Sequence, residues 1–172
     1  MTPQAGMPIA DVITRLATLD LRSWRGLPTD LASPDADGEA AAAASVLGDA
    51  FEPAVVMALD TPASAAGARA WARDQRIVLV DVALEPARGA APLADLLGQP
   101  ERRLDVTYGL QHLPSGEWIH AARGLALVVD DERVRHVMGF VPCDVDEYER
   151  RLRIRFETTR RPLATRLVQE DL

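Results

Sequence analysis

The sequence has one cysteine, no lysine, no asparagine and few aromatic residues. The single Cys143 excludes an intramolecular disulfide, which fits a reducing compartment. No apolar run reaches the roughly 18 uncharged residues of a membrane helix. The N-terminal segment also lacks the basic start and apolar run of a signal peptide. These absences predict a cytoplasmic protein with no membrane partner, and a cysteine-poor exported protein is the alternative.

All 19 basic residues are arginine, and alanine is abundant. Lysine and asparagine have AT-rich codons, so their absence predicts a bacterial host with a GC-rich genome. The choice of arginine at any one position is therefore weak evidence for bidentate recognition there.

The formal charge of -7 is unevenly distributed along the chain. Residues 1–100 carry 13 acidic residues against 7 arginines, whereas residues 150–166 carry seven arginines and a single acid, Glu157. An acidic protein repels phosphate, which disfavours nucleic-acid binding. We expect the arginines of 150–166 to form a solvated or internally paired helix face, with nucleic-acid binding as the lesser alternative.

The length of 172 residues and the hydrophobic content of 48% suit a single domain, 1–172. Apolar spacing and capping residues predict short helices over 8–21, 40–50, 93–100 and 143–156. The expected inward positions are Ile9, Val12, Ile13, Leu16 and Leu19 or Ala17 in the first helix, and Val145, Tyr148, Leu152 and Phe156 in the last.

Short runs rich in β-branched and aromatic residues predict antiparallel strands. They cover 53–59, 68–73, 76–84, 102–110, 116–122, 124–131 and 133–140. The Pro- and Gly-containing residues 85–92 predict an irregular connection between the two sets of strands. The predicted fold class is α+β, with short helices packed on an antiparallel β-sheet of six or seven strands.

The order of helix, Leu-Gly pair, strand and Trp-bearing strand occurs twice. Leu47-Gly48 corresponds to Leu97-Gly98, and Trp71 corresponds to Trp118. Two tandem related halves, 1–88 and 89–172, are therefore an alternative to one undivided domain.

The second of these patterns, "LLGQP" followed by Trp118 in a strand and a later strand ending at Phe140, resembles a known α/β repeat. It is similar to the repeat of the β-lactamase-inhibitor-protein fold and of the outer-membrane assembly lipoproteins of the BamE/SmpA type. The resemblance covers roughly residues 93–140 and more loosely 40–84. It implies a fold whose members mostly bind other proteins. The sequence departs from the family because "WIH" replaces a Trp-x-Tyr pair and no lipidated cysteine is present, so the lipoprotein role is not carried over.

Two histidines are the first candidates for a site. Tight turns at 122–124 and 130–132 would place His120 across from Ala126, and Ala126 across from His136, on one face of the sheet. Their backbones would lie about 10 Å apart, so long reach or a bridging water would be needed for the two to share a metal, and the sequence places no third ligand at a recognisable spacing. We expect two partly buried structural histidines, with a ligand pair or acid/base couple as the alternative. A slip of one residue in the register would separate them.

Residues around a predicted hairpin give a second candidate. His112, Glu117, His120 and Arg123 are close in sequence, and a carboxylate beside an imidazole is the usual acid/base arrangement. The commoner interpretation is that Glu117 and Arg123 are surface charges on strands. If the protein were an enzyme, the catalytic candidates would be His112, Glu117, His120 and His136.

The remaining candidates are a thiol and two tryptophans. Cys143 precedes a predicted helix, whose N-terminus can lower a thiol pKa, but Asp144, Asp146 and Glu147 act in the opposite sense, so we expect a buried or inert thiol rather than a nucleophile. Trp24 is expected either as an exposed binding anchor or as a lock on the end of the first helix. Trp118 and Arg123 complete the binding candidates.

No sequence motif for a phosphate loop, a dinucleotide or a metal is present, so we expect no cofactor and no metal. The first functional hypothesis is a non-enzymatic protein-binding module, such as an inhibitor, an immunity-type protein or an accessory factor, with a basic partner. The second is a small enzyme or small-molecule-binding protein that uses a sheet-lined pocket with His120, His136 and Glu117.

Overall fold

The computed structural model describes residues 7–27, 43–44, 55–73, 76–108 and 111–153. Within these ranges, side chains are described except at 43–44, 55–57, 76, 105–108 and 111–115. No helix of the described part is long and apolar enough to cross a membrane.

One antiparallel sheet of eight strands dominates the described residues. The strands are β1 (Ala43–Ala44), β2 (Val55–Leu59), β3 (Ala65–Arg73), β4 (Arg76–Gly89), β5 (Arg102–Tyr108), β6 (Gln111–His120), β7 (Leu125–Asp130) and β8 (Arg133–Phe140). Their order is β1-β2-β3-β4-β8-β7-β6-β5. Two meanders from the two parts of the chain therefore meet where β4 pairs with β8. The sheet and its short helices confirm the α+β class.

The two faces of the sheet are distinguished by the register of β4 and β8. Val80 pairs with Gly139, and Asp81 pairs with Met138. Because directly paired residues share a face and alternate residues change face, these two pairs point in opposite directions. Helix α1 (Ile9–Thr18) packs on the side of Val80 and Gly139, which we call the α1 face, and we call the side of Asp81 and Met138 the Tyr148 face.

Helix α1 (Ile9–Thr18) covers the α1 face, as its apolar spacing predicts. Its buried residues are Val12, Ile13, Leu16 and Ala17. It ends at Leu19, which adopts a left-handed conformation with φ of 58°. The chain then places Trp24 over Gly139, where a Cβ would lie 2.9 Å from Trp24 Cζ2 and 3.1 Å from Leu16 Cδ1. The missing side chain at Gly139 thus makes room for the indole.

Two short helical segments complete the packing. Helix α2 (Ala91–Leu97) buries Leu93 and Leu97 and ends at Gly98, whose φ is 77°. On the Tyr148 face, α3 (Val145–Glu147) continues directly into one turn of π-helix (Tyr148–Leu152). The Asp144 carboxylate caps α3 by accepting from the Glu147 backbone N–H at 2.7 Å.

The closing helix is shorter than the sequence predicts. It begins at Val145 and gives way to extended backbone at Arg153, whereas the prediction covered 143–156. Tyr148 is buried, and Val145 and Leu152 are partly buried against the core, which confirms those three inward positions. Phe156 lies outside the described residues.

Two other sequence predictions are wrong. Residues 85–89 continue strand β4 rather than forming an irregular connection, because β8 offers partners: Arg88 pairs with Val134. Pro86 lies within the register shift between Ala83 and Arg88, where the pairing with β8 is irregular and a proline is tolerated. Ala43–Ala44, expected in a helix over 40–50, pair with β2 instead, because helix propensity is a weak preference that tertiary pairing overrides. The rest of 45–50 lies outside the described residues.

The tandem duplication stays a prediction. Leu47-Gly48 lies outside the described residues. Trp71 is on the Tyr148 face because it pairs with Leu79, whereas Trp118 is on the α1 face because it pairs with Leu127, which in turn pairs with Val137.

Candidate functional site

The two candidate histidines lie on opposite faces of the sheet, so the expectation that they share a face is wrong. His120 pairs with Leu125, and Leu125 pairs with Gly139 on the α1 face. His136 pairs with Val128 and Ala83 on the Tyr148 face. The cause is that the pairing of β6 with β7 differs by one residue from the predicted pairing. A short 3-10 turn, Ala121–Arg123, and Gly124 separate the two strands, so β7 begins at Leu125. With a period of two, this shift turns His120 to the other side.

On the Tyr148 face, His136 is held by an aspartate that the sequence analysis did not select. Asp81 is 1% exposed, and its two oxygens have different partners. Oδ1 lies 2.9 Å from His136 Nδ1, and Oδ2 accepts from Arg69 Nη2 at 2.8 Å. A buried carboxylate that orients an imidazole is the arrangement of acid/base sites, but it also satisfies a buried charge. The signal in the sequence was the lone Asp inside the apolar run of 76–84.

Glu117 shares this face, because it pairs with Val128, which pairs with His136. It is buried, so its interpretation as a surface charge is wrong. The Tyr148 hydroxyl donates to Oε1, and Arg153 Nε donates to Oε2 at 2.7 Å. Tyr148 also stacks on Phe140, with ring centroids 4.5 Å apart. Glu117 therefore attaches the π-helical turn and the residue after it to the sheet.

Burial and charge hold the Tyr148 hydroxyl in its donor form. Burial, followed by the neighbouring Glu117 carboxylate, raises the pKa of Tyr148 well above its ordinary value, and Arg153 opposes this. The hydroxyl is therefore protonated at neutral pH and serves as the donor to Glu117.

His120 is buried on the α1 face. Burial lowers its pKa, and the positive charges of Arg123 and Arg103 act in the same direction, whereas Glu101 raises it. A neutral imidazole is therefore favoured there. The geometry agrees with a structural histidine and separates it from both His136 and Glu117, so the proposed group of polar residues in one sheet-lined pocket is not assembled.

Cys143 behaves as a protected thiol. Burial, followed by Glu147 and Asp144, raises its pKa to about 11. The thiol is therefore protonated at neutral pH, which confirms the sequence interpretation that the carboxylates oppose a thiolate.

The tryptophan and arginine candidates differ in exposure. Trp24 is buried, so of its two interpretations the structure supports the lock between helix and loop and contradicts the exposed anchor. Trp118 is partly buried, with the Arg103 guanidinium 4.7 Å from its ring centroid. Arg123 is exposed. His112 lies in β6 opposite Thr107, but its side chain is outside the described part.

The tip of the β7–β8 hairpin, predicted as a tight turn at 130–132, is acidic. Asp130, Asp131 and Glu132 are consecutive and exposed. Asp131 and Glu132 both have positive φ, 47° and 57°, which is the geometry of a type I′ turn normally made by Asn-Gly. The backbone N–H of Ala90, between β4 and α2, donates to the Glu132 carbonyl at 2.9 Å and so attaches the turn to the rest of the fold.

Among the described residues, no group of three or more histidine, cysteine, aspartate or glutamate side chains is arranged to hold a metal ion. No protein-family model matches the chain, and neither a curated protein nor a solved structure matches it.

Proposed function

We propose that the protein is a non-enzymatic bacterial protein-binding module of the inhibitor, immunity or accessory type, which works in the cytoplasm and binds a basic partner. The observation that carries this proposal is the tip of the β7–β8 hairpin, Asp130-Asp131-Glu132: Asp131 and Glu132 are exposed on a two-residue turn with positive φ, and the neighbouring exposed Asp130 forms an ion pair with Arg135 at 3.5 Å. The resemblance to folds that bind other proteins supports the same function.

The tip keeps acidic residues at a conformational cost. A non-glycine residue in the left-handed region costs about 1–3 kcal/mol, although aspartate tolerates it better than glutamate. Asn-Gly would form the same turn more readily. The tip therefore gives up stability to display its charges, as binding surfaces commonly do. Carboxylates held this way would attract and orient a basic surface.

Three of the polar groups that would suit catalysis have structural roles or are protected in the fold. Glu117 accepts from Tyr148 and Arg153, and His120 is buried with a lowered pKa. The Cys143 thiol has a pKa of about 11. These contacts support the interpretation of the sheet as a scaffold for its surface.

The test is co-purification of tagged protein from cells that produce it, with partners identified by mass spectrometry. We expect a stoichiometric basic partner that dissociates as salt is raised, because exposed charges are screened. Asp131→Asn with Glu132→Gly should abolish its retention while stabilising the turn. Asp11→Asn with Asp20→Asn removes the same charge from exposed sites near α1 and should leave retention intact. Equal loss with both pairs would contradict the role of the tip.

A second function is supported by the Asp81–His136 contact. An imidazole oriented by a buried carboxylate is the arrangement required for general acid/base catalysis or for binding a small polar ligand. His136→Gln should then abolish ligand retention or turnover. Under the protein-binding function, the same substitution leaves retention of the partner unchanged.

A further inference from the structure

Strand β5 forms one edge of the sheet and is the longer of the two edge strands. Among the described residues it pairs with β6 alone, so one row of its backbone N–H and C=O groups faces away from the sheet. The strand at the other edge, β1, spans Ala43–Ala44. Very short edge strands resist pairing with another chain, whereas a longer edge is a template for one more strand. The β5 edge is therefore where the sheet is best able to be extended.

Contacts on both faces hold the first half of β5 in place. On the Tyr148 face, Arg102 donates through Nη1 to Glu149 Oε1 at 2.5 Å and through Nη2 to Asp146 Oδ1 at 3.2 Å. On the α1 face, the Arg103 guanidinium lies over the Trp118 ring. Both arginines are nevertheless exposed. This part of the edge is thus ordered and accessible, which lowers the entropy cost of adding a strand to it.

The residues at the start of β5 are complementary to themselves in charge. Arg103 pairs with Trp118 and so lies on the α1 face. Asp105 is two residues further along β5, before the register shift that follows it, so it lies on the same face. In an antiparallel pair of two β5 strands, a two-fold axis at Leu104 places Arg103 of each copy directly opposite Asp105 of the other. Opposite charges at directly paired positions stabilise a pair of strands.

The charge pattern also selects this register. A two-fold axis at Asp105 would place two aspartates opposite each other, and an axis at Arg103 would do the same with two arginines. Like charges directly opposite each other destabilise a pair of strands. An axis between two residues would place side chains of opposite faces across from each other, which the alternation of a pleated sheet excludes. The axis at Leu104 is the one that places arginine opposite aspartate, and the symmetry repeats that pair.

We propose that a second copy of this chain adds to the β5 edge, with the two β5 strands antiparallel about Leu104 and the two eight-stranded sheets joined into one. The same surface of each copy is used, so the contact consumes both β5 edges and the assembly closes as a dimer. The paired residues, 102–106, do not include the acidic tip of the β7–β8 hairpin. The dimer therefore neither requires nor excludes a basic partner at that tip.

The experiment is sedimentation velocity of the full-length protein over concentrations from roughly 1 to 500 µM. We expect a reversible equilibrium of monomer and dimer with a Kd on the order of 10 µM, because one pair of edge strands is a small interface. A chain that remains monomeric over this range overturns the proposal.

Charge reversal within β5 tests the contact itself. Arg103→Glu places two negative charges opposite each other at two symmetric positions, and it should raise the Kd about tenfold or more. Arg103→Glu combined with Asp105→Arg restores opposite charges and should recover most of the lost affinity. If Arg103→Glu fails to fold, Asp105→Arg alone produces the corresponding repulsion between arginines.

Arg22→Glu is the matched control, because it makes the same change of charge at an exposed site in the segment Leu21–Ser23 that follows α1. It should leave the Kd unchanged. A dimer that Arg103→Glu does not weaken, an equal loss with Arg22→Glu, or no recovery in the variant with both β5 charges reversed would each contradict pairing through β5.

Discussion

Removing the Tyr148 hydroxyl tests whether Glu117 is a structural residue. Tyr148→Phe keeps the ring, which is fully buried and stacked on Phe140, and deletes only the donor to Glu117. A hydrogen bond to a charged acceptor contributes about 1.5–3 kcal/mol. Glu117 keeps its contact with Arg153, so it is not left without a partner. We therefore expect a loss of about 2 kcal/mol in the free energy of unfolding, which for a chain of this length lowers Tm by roughly 4–8 °C.

The assay is urea unfolding of the wild-type protein, Tyr148→Phe, Glu117→Gln and the double variant. Glu117→Gln leaves Arg153 without its carboxylate, and because the Arg153 side chain is 31% exposed, water offsets part of that loss. The sum of the losses in unfolding free energy for the two single variants should exceed the loss for the double variant by about 1 kcal/mol or more. The reason is that both substitutions remove the same contact.

Met138→Leu is the matched control for this cycle. The Tyr148 hydroxyl lies 3.9 Å from Met138 Sδ, a weak acceptor, so this volume-conserving change should cost less than about 1.5 kcal/mol. A Tyr148→Phe variant within 0.5 kcal/mol of the wild type, or strictly additive losses, would refute the structural role of the Glu117 contacts.

Three further outcomes follow from the packing and the pKa shifts. Gly124→Ala should destabilise the protein by more than about 2 kcal/mol in urea unfolding, because φ is 69° and the new Cβ would collide with the Phe140 carbonyl; an unchanged midpoint would contradict this. His120 has a pKa below its unfolded value of about 6.5, so the stability it contributes is complete above that pH and is lost as pH falls below it. The free energy of unfolding of His120→Gln should therefore fall less than that of the wild type between about pH 7 and 5. Parallel curves of unfolding free energy against pH would show that His120 does not cause this loss of stability. Alkylation of Cys143 by iodoacetamide should accelerate only as pH approaches its pKa of about 11, whereas half-maximal rates near pH 8 would show an accessible, ordinary thiol.

Local patterns predicted much of the fold. The apolar spacing of α1 identified four buried residues, and the strands predicted from 102 to 140 were all found, although β6 begins at Gln111, five residues before its predicted start. These elements were predictable because their periodicity reflects burial on one face, which is local information. Strand pairing was not: β4 extends through Pro86 to Gly89 because β8 supplies partners far away in sequence.

The candidate site was harder to predict because it depends on register. His120 and His136 lie on opposite faces because the pairing of β6 with β7 differs by one residue from the predicted pairing. No local sequence pattern determines the length of the link between these strands. Asp81 was missed because it stands alone in an apolar strand, and its partners come from β3 and β8. Glu117 was singled out, but its burial depends on Tyr148 and Arg153, 31 and 36 residues later in the chain.

Photo-cross-linking inside cells tests the proposed binding surface most directly. The photoreactive residue p-benzoylphenylalanine replaces Glu132 at the hairpin tip in one variant and the exposed Asp20, which follows α1, in another. The proposal predicts one discrete covalent adduct to a basic protein from position 132 and none from position 20. Adducts of the same pattern from both positions, or none from position 132, would contradict a partner bound at the Asp130-Asp131-Glu132 tip.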